Sequence, residues 1–200
     1  MERKEKIPTY KGTILDIGSG YGLVMEALAK AYKDYHIIGL EPAKRNYRLA
    51  VNVINGLPNA TVVNATVQGW ETKDYIDQAL LIFPDFRDIK TEGRAIAEKV
   101  YELLKPGAEF FIITHIPYAG VYADIAILDE FISILKMAGF SVKKQEVPFD
   151  KIPKEIKVST IYQWYDSPQY RKLKENFSDE LTIIRATKGL LPLATERRVF

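Results

Sequence analysis

The sequence predicts an α/β fold: a sheet of about seven strands, mostly parallel with the last strand antiparallel, and helices on both faces. Three observations carry this expectation. Short apolar segments alternate with stretches whose apolar residues recur at i, i+3 and i+4, the pattern of strands joined by packed helices. The first strand runs into glycines at positions 18, 20 and 22 just before a helical pattern begins. The final two strands follow each other without a strong helical pattern between them, so the last is expected to enter antiparallel.

After a charged lead, Thr13 to Ile17 is the first strand, and Leu23, Val24, Ala27, Leu28 and Ala31 form the inner face of a first helix. Tyr35 to Leu40 is a second buried strand, closed by Glu41 and by Pro42, which suits the first turn of a helix. Tyr47, Ala50, Val51 and Ile54 then mark a sheet-packed face that ends at Asn55 to Pro58. Thr61 to Val63 is a third strand, and the stretch around Trp70 has no clear period. Ala79 to Phe83, uniformly apolar, is a fourth and central strand. A long helix over Thr91 to Leu104 turns Ile96, Val100, Leu103 and Leu104 inward, and Lys105, Pro106 and Gly107 close it. Glu109 to Thr114 is a fifth strand, followed by a helix over Tyr122 to Met137 with Leu128, Phe131, Ile132 and Leu135 on one side. Ser141 to Val147 and Leu181 to Ala186 are the last two strands.

Two hundred residues suit a single domain, here 1–200, with an insertion at about 150–179 between the last two strands. No apolar run approaches a membrane span, and the amino end lacks the apolar stretch of a signal peptide. Without cysteine there are no disulfides or thiolate metal sites, so a cytoplasmic protein is expected. The two histidines have no ligand partners at metal spacing, so no metal is expected. A net charge of +2 neither demands nor forbids a nucleic-acid partner.

In an open α/β sheet, ligands gather at the carboxyl ends of the strands where strand order reverses. After the first strand come Asp16, Gly18, Ser19, Gly20 and Gly22, in a turn where glycine permits positive φ and close approach of a ligand to the backbone. The helix that follows is expected to aim free N–H groups at that ligand. After the second strand comes Glu41, whose carboxylate can accept both hydroxyls of a ribose or, alternatively, complement a helix start. After the third come Asn64 and Ala65, the former able to donate to and accept from an adenine edge. A dinucleotide oxidoreductase is the rival, but its fingerprint places the third glycine three residues after the second, and here the interval is two.

The run Ile14 to Gly22, with Asp16 before the first glycine, resembles motif I of the class I S-adenosylmethionine (SAM) methyltransferases, whose fold is Rossmann-like. Leu104 to Gly107 resembles the same family's Leu-Lys-Pro-Gly-Gly segment, with Ala108 in place of its second glycine. The resemblance covers about Ile14 to Thr114. It implies SAM as cofactor, with Asp16 orienting the methionine part, the glycines admitting it to the backbone, Glu41 holding the ribose, and Asn64 and Ala65 flanking adenine.

Phe83, Pro84 and Asp85 match the Phe-Pro-Asp start of a motif in tRNA guanine-N7 methyltransferases, whereas Phe86 and Arg87 replace its Pro-Trp. That likeness makes Asp85 a candidate catalytic carboxylate and tRNA a candidate acceptor, beside a small molecule or a protein. Asp85 is equally readable as a turn-forming residue after proline. His115, after the fifth strand, is the other candidate base. The insertion carries Tyr162, Trp164, Tyr165 and Tyr170 ahead of a basic segment, Arg171 to Lys174, and serves either to pack on the domain or a second subunit, forming a homo-oligomer, or to stack a base. Arg185, Lys188, Arg197 and Arg198 could touch phosphates. Two functional classes follow: a methyltransferase acting at nitrogen or oxygen, and a catalytically silent SAM-binding subunit or RNA-binding partner protein of the same fold.

Overall fold

The computed structural model describes residues 9–114, 122–148, 151 and 180–190. The elements run β1 (Gly12–Ile17), α1 (Leu23–Ala31), β2 (Tyr35–Leu40), α2 (Lys44–Val53), β3 (Ala60–Val63), β4 (Ile76–Ile82), α3 (Phe86–Leu103), β5 (Leu104–Thr114), α4 (Tyr122–Met137), β6 (Phe140–Pro148) and β7 (Glu180–Lys188). The sheet order is β3-β2-β1-β4-β5-β7-β6. Strands β1 to β5 pair in parallel, and β7 lies antiparallel between β5 and β6, as expected for a last strand with no crossover helix described before it. The insertion at 150–179, apart from exposed Lys151, lies outside the described residues, as do His115, Arg197 and Arg198.

Alternation along the strands divides the core into two layers. Leu15 and Ile17 of β1, Leu81 of β4 and Ile112 of β5 point to one face, where Ile96, Val100, Phe131 and Leu135 of α3 and α4 cover them. Ile14, Leu80 and Ile113 point to the other, against Val24, Met25 and Leu28 of α1 and Ala50 of α2. Strand β4 sits in the middle of the sheet, which is why Ala79 to Ile82 is uniformly apolar; the strand starts earlier than expected, at Ile76, and includes Asp77 and Gln78.

Helix α3 begins earlier than its apolar period suggests. Asp85 is its N-cap, accepting from the Arg87 N–H at 2.8 Å, so the helix starts at Phe86. It ends at Leu103, and the segment Leu104 to Ala108 belongs to β5, where Ile76 pairs with Leu104 but Gln78 pairs with Glu109. The Lys105-Pro106-Gly107 segment follows the helix end directly, as expected, and is also the irregular opening of β5. Asp77 stitches it down, accepting from Lys105 Nζ at 2.6 Å and from the Thr13 N–H at 2.8 Å. In α2 the apolar stripe is narrower than predicted: Ala50 and Ile54 are buried but Val51 is exposed, and Pro42 precedes the helix instead of opening its first turn.

Gly22 shows why the third loop glycine is needed. It is the N-cap of α1 at φ 81°, and a Cβ there would meet Cα and Cβ of Ala50 at 3.0 Å. Its role is the close approach of α1 to α2. Gly39 of β2 is a second packing glycine, since a Cβ there would lie 2.1 Å from Met25 Sδ and 2.8 Å from Ser19 Oγ. Gly22→Ala is expected to destabilise the protein by about 1–3 kcal/mol through left-handed strain and overpacking, measurable by urea denaturation.

Candidate functional site

A cavity of about 510 Å³ opens at the carboxyl ends of β1, β2 and β4. This is where strand order reverses, between β1 with its neighbours β2 and β3 on one side and β4 with β5 on the other. Its wall takes Gly18 and Gly20 from the glycine loop, Glu41, Ala43 and Asn46 from the turn into α2, and Ala65, Thr66, Val67 and Gln68 from the segment after β3. Phe83, Pro84, Asp85, Asp88 and Glu92 close it from the β4–α3 side.

The loop is anchored from within. Leu40 O accepts from the N–H groups of Gly18 and Ser19 at 2.8 and 2.9 Å, and Glu41 Oε2 accepts from the Gly20 N–H at 2.8 Å. These three amides hold the turn; the donors expected from the sequence are those of the first turn of α1, which begins at Leu23. What the loop offers a ligand is space. Gly18 and Gly20 have φ of 72° and 57°, and a Cβ on either would have nothing within 4 Å. A side chain there would project into the opening a ligand needs.

Glu41 is 5% exposed, and both carboxylate oxygens are engaged: the second accepts from the Ala43 N–H at 2.8 Å, at the N-cap of α2. It thus complements the helix start while facing the cavity. Asn64 does not line the cavity. Its Nδ2 donates to the carbonyls of Glu41 and Pro42 at 2.8 and 3.0 Å, which makes it a strut for the turn that carries Glu41, whereas Ala65 beside it is in the wall.

Asp16 lies under the loop, 2% exposed, and its Oδ2 is buried without a hydrogen-bond partner, as is Ser19 Oγ. Burial, with the nearby charge of Glu41 adding to it, pushes the Asp16 carboxyl up to about 7. Among the described residues the cavity wall contains four carboxylates, Glu41, Asp85, Asp88 and Glu92, and no Lys or Arg. Neither Asp16 nor Ser19 is part of the wall, but the charge balance of the wall suits a cationic ligand and opposes a pyrophosphate.

At the β4 end the backbone is strained. Phe83 has φ 52°, a left-handed conformation costing a non-glycine residue about 1–2 kcal/mol. Its N–H donates to Ile113 O at 2.7 Å, which ends the strand at Ile82 and turns Pro84 and Asp85 toward the cavity. Asp85 is held by Arg87, whose Nη2 donates at 2.6 Å; these hydrogen bonds keep its carboxyl below the usual range. A carboxylate so stabilised is a poor proton acceptor.

The basic candidates at the carboxyl end also have internal partners. Lys188 Nζ donates to Tyr101 O and Leu104 O at the end of α3, at 2.6 and 2.7 Å, and Arg185 pairs with Glu109. Sequence reasoning missed Gln68 and Glu92, joined at 2.5 Å across the cavity wall, because they come from a segment without period and from a solvent-patterned turn of α3. Among the described residues no group of His, Asp and Glu could hold a metal ion, and no helix is long and apolar enough to cross a membrane.

The fold and this cavity define a Rossmann-like α/β enzyme whose ligand site sits at the strand switch point. A family profile described as a methyltransferase domain matches residues 14–107, and the chain carries a class I SAM-dependent methyltransferase domain with SAM as methyl donor. The 16S rRNA (adenine(1408)-N(1))-methyltransferase of Catenulisporales acidiphilia superposes with a TM-score of 0.66 at 15% identity, covering 90% of this chain and 89% of that one. The aminoglycoside resistance methyltransferase NpmB1 gives 0.63 at 21%, covering 92% and 91%. Phosphoethanolamine N-methyltransferase 2 of Haemonchus contortus, in complex with SAM, gives 0.63 at 16%, covering 94% of this chain and 50% of that one. At these identities the likeness is one of fold, and none of the three is a tRNA guanine-N7 enzyme. A sequence search of curated proteins finds no match.

The raised Asp16 carboxyl predicts a pH-dependent stability. An acid whose folded pKa exceeds its unfolded one contributes stability that is full below about pH 4 and is lost as pH rises through about 7. Asp16→Asn removes that loss, so its melting temperature relative to the parent should climb between about pH 5 and about pH 8, by at least roughly 2–4 °C.

Proposed function

We propose that the cavity is the methyl-transfer site and that the acceptor is a nitrogen or oxygen nucleophile entering from the Phe83 to Asp85 side. The observation that carries this is the pairing of a glycine-floored cavity with a wall that, among the described residues, has four carboxylates and no cation. SAM supplies a methyl group on a positively charged sulfur that leaves readily. The protein's work is then to hold both partners and exclude water. Gly18 and Gly20 give the donor access to the backbone, and Asp16 and Ser19 offer their unpartnered oxygens beneath it. Each oxygen of Glu41 keeps a lone pair for a ribose hydroxyl beyond the backbone bond it already accepts. Ala65 forms part of the wall beside adenine, and Asn64 positions Glu41.

Asp85 acts in this reading by capping α3 and presenting a fixed negative charge, with its proton-accepting role weakened by Arg87. An acceptor that arrives already deprotonated, or loses its proton to water, needs no strong base. The absence of cysteine supports a cytoplasmic setting.

Calorimetry should show SAM and S-adenosylhomocysteine binding at about micromolar affinity or better, and binding of NAD in their place would overturn the donor assignment. Asp85→Asn retains a capping side chain and removes the charge. It should leave SAM affinity intact and lower turnover at least about tenfold. Unchanged turnover would move the role to His115 or to loop positioning alone.

A further inference from the structure

Helix α2 carries a charge pattern that neither its own stability nor the donor site requires. Lys44, Arg45 and Arg48 are exposed, the helix contains no acidic residue, and among the described residues none of the three cations has an ion-pair or hydrogen-bond partner. Lys44 and Arg45 stand in the first turn, where the helix dipole disfavours positive charge, and Lys44 and Arg48 repel at i, i+4. Helix α3 differs: three of its four cations, Arg87, Arg94 and Lys99, are matched by an acid, Asp85, Glu98 and Glu71. The unmatched cations belong to the helix that starts beside the cavity: Ala43, its N-cap, and Asn46 line the cavity, whereas Lys44, Arg45 and Arg48 do not and are exposed. The helix is therefore basic where the cavity wall is acidic.

We propose that the methyl acceptor is a nucleotide of an RNA strand, whose phosphates lie along Lys44, Arg45 and Arg48 while its base enters the cavity. A polyanion explains cations that are costly in the free protein, because phosphate contacts supply affinity and orientation without reading sequence. The acidic interior excludes the phosphates and leaves the base as the part that enters, with the Gln68–Glu92 pair available to its N–H groups. Transfer forms a bond between a base nitrogen or a ribose oxygen and the methyl carbon as the carbon–sulfur bond breaks with its electron pair passing to sulfur. An N–H or O–H acceptor gives its proton to water. This inference rests on the donor assignment above.

Methyl-labelled SAM incubated with the full chain and separate cellular RNA, protein and small-molecule fractions should label RNA. The variant Lys44→Ala, Arg45→Ala, Arg48→Ala should lose at least about tenfold of that labelling near physiological salt. For a short fluorescent single-stranded RNA, the slope of log affinity against log salt should fall by roughly 2 in this variant. Alanine favours the helix, and SAM affinity should stay within about twofold, which reports an intact donor site. Label confined to protein or small molecules, label in no fraction, or RNA labelling and salt slope unchanged in the variant would each overturn the proposal. A native chain that fails to bind SAM would instead sink the donor assignment, so the two failures are distinguishable.

Discussion

The site depends on one buried carboxylate. Glu41 takes the Gly20 N–H on one oxygen and the Ala43 N–H on the other, so a single side chain joins the glycine loop after β1 to the helix start after β2. Asn64 extends the tie to the third strand by donating to the Glu41 and Pro42 carbonyls. Charge-assisted bonds to backbone N–H groups are among the stronger ones a protein makes, and here they set the spacing of three strand ends. The cavity is the gap that this spacing leaves.

The same carboxylate is a source of strain. It adds to the burial that raises the proton affinity of Asp16, and of the three further acids in the cavity wall only Asp85 has an ion-pair partner among the described residues, Arg87. Such an arrangement lowers the stability of the free protein and favours a ligand that brings positive charge, a common exchange of stability for function. Phe83 adds to it, because its left-handed backbone is held in place by the bond to Ile113 and by packing on the core. Charge and backbone strain both concentrate where the donor and acceptor sides of the cavity meet.

Much of the fold was legible from periodicity. The five parallel strands, the central position of β4 and the antiparallel β7 follow from apolar runs and the lack of a final crossover pattern. A second use, not visible in the sequence, appears at three of the residues read as site residues. Asp85 reads as an acid beside a site, but its carboxylate caps α3, and this cap moves the helix start to Phe86. Gly22 reads as a ligand glycine, but it admits Ala50 of another helix. Asn64 reads as an adenine contact, but its amide donors are spent on two carbonyls. In each case residue type and position were visible, while the partner lay 2 to 28 residues away in sequence.

By itself the sequence determined the alternation of strands and helices, the glycine loop with its tight spacing, and the placement of acids just after successive strands. These are local properties, carried by side-chain period and by the backbone freedom of glycine. Only the tertiary structure decided which amides and carboxylates remain for a ligand. Hydrogen bonds are competitive, and the choice between Gly20 and a ribose, or between Arg87 and an acceptor, is made by distance across the fold. The basic helix α2 is intermediate: its composition is written in the chain, but its lack of ion-pair partners among the described residues and its start beside the cavity became apparent only when the strands were assembled.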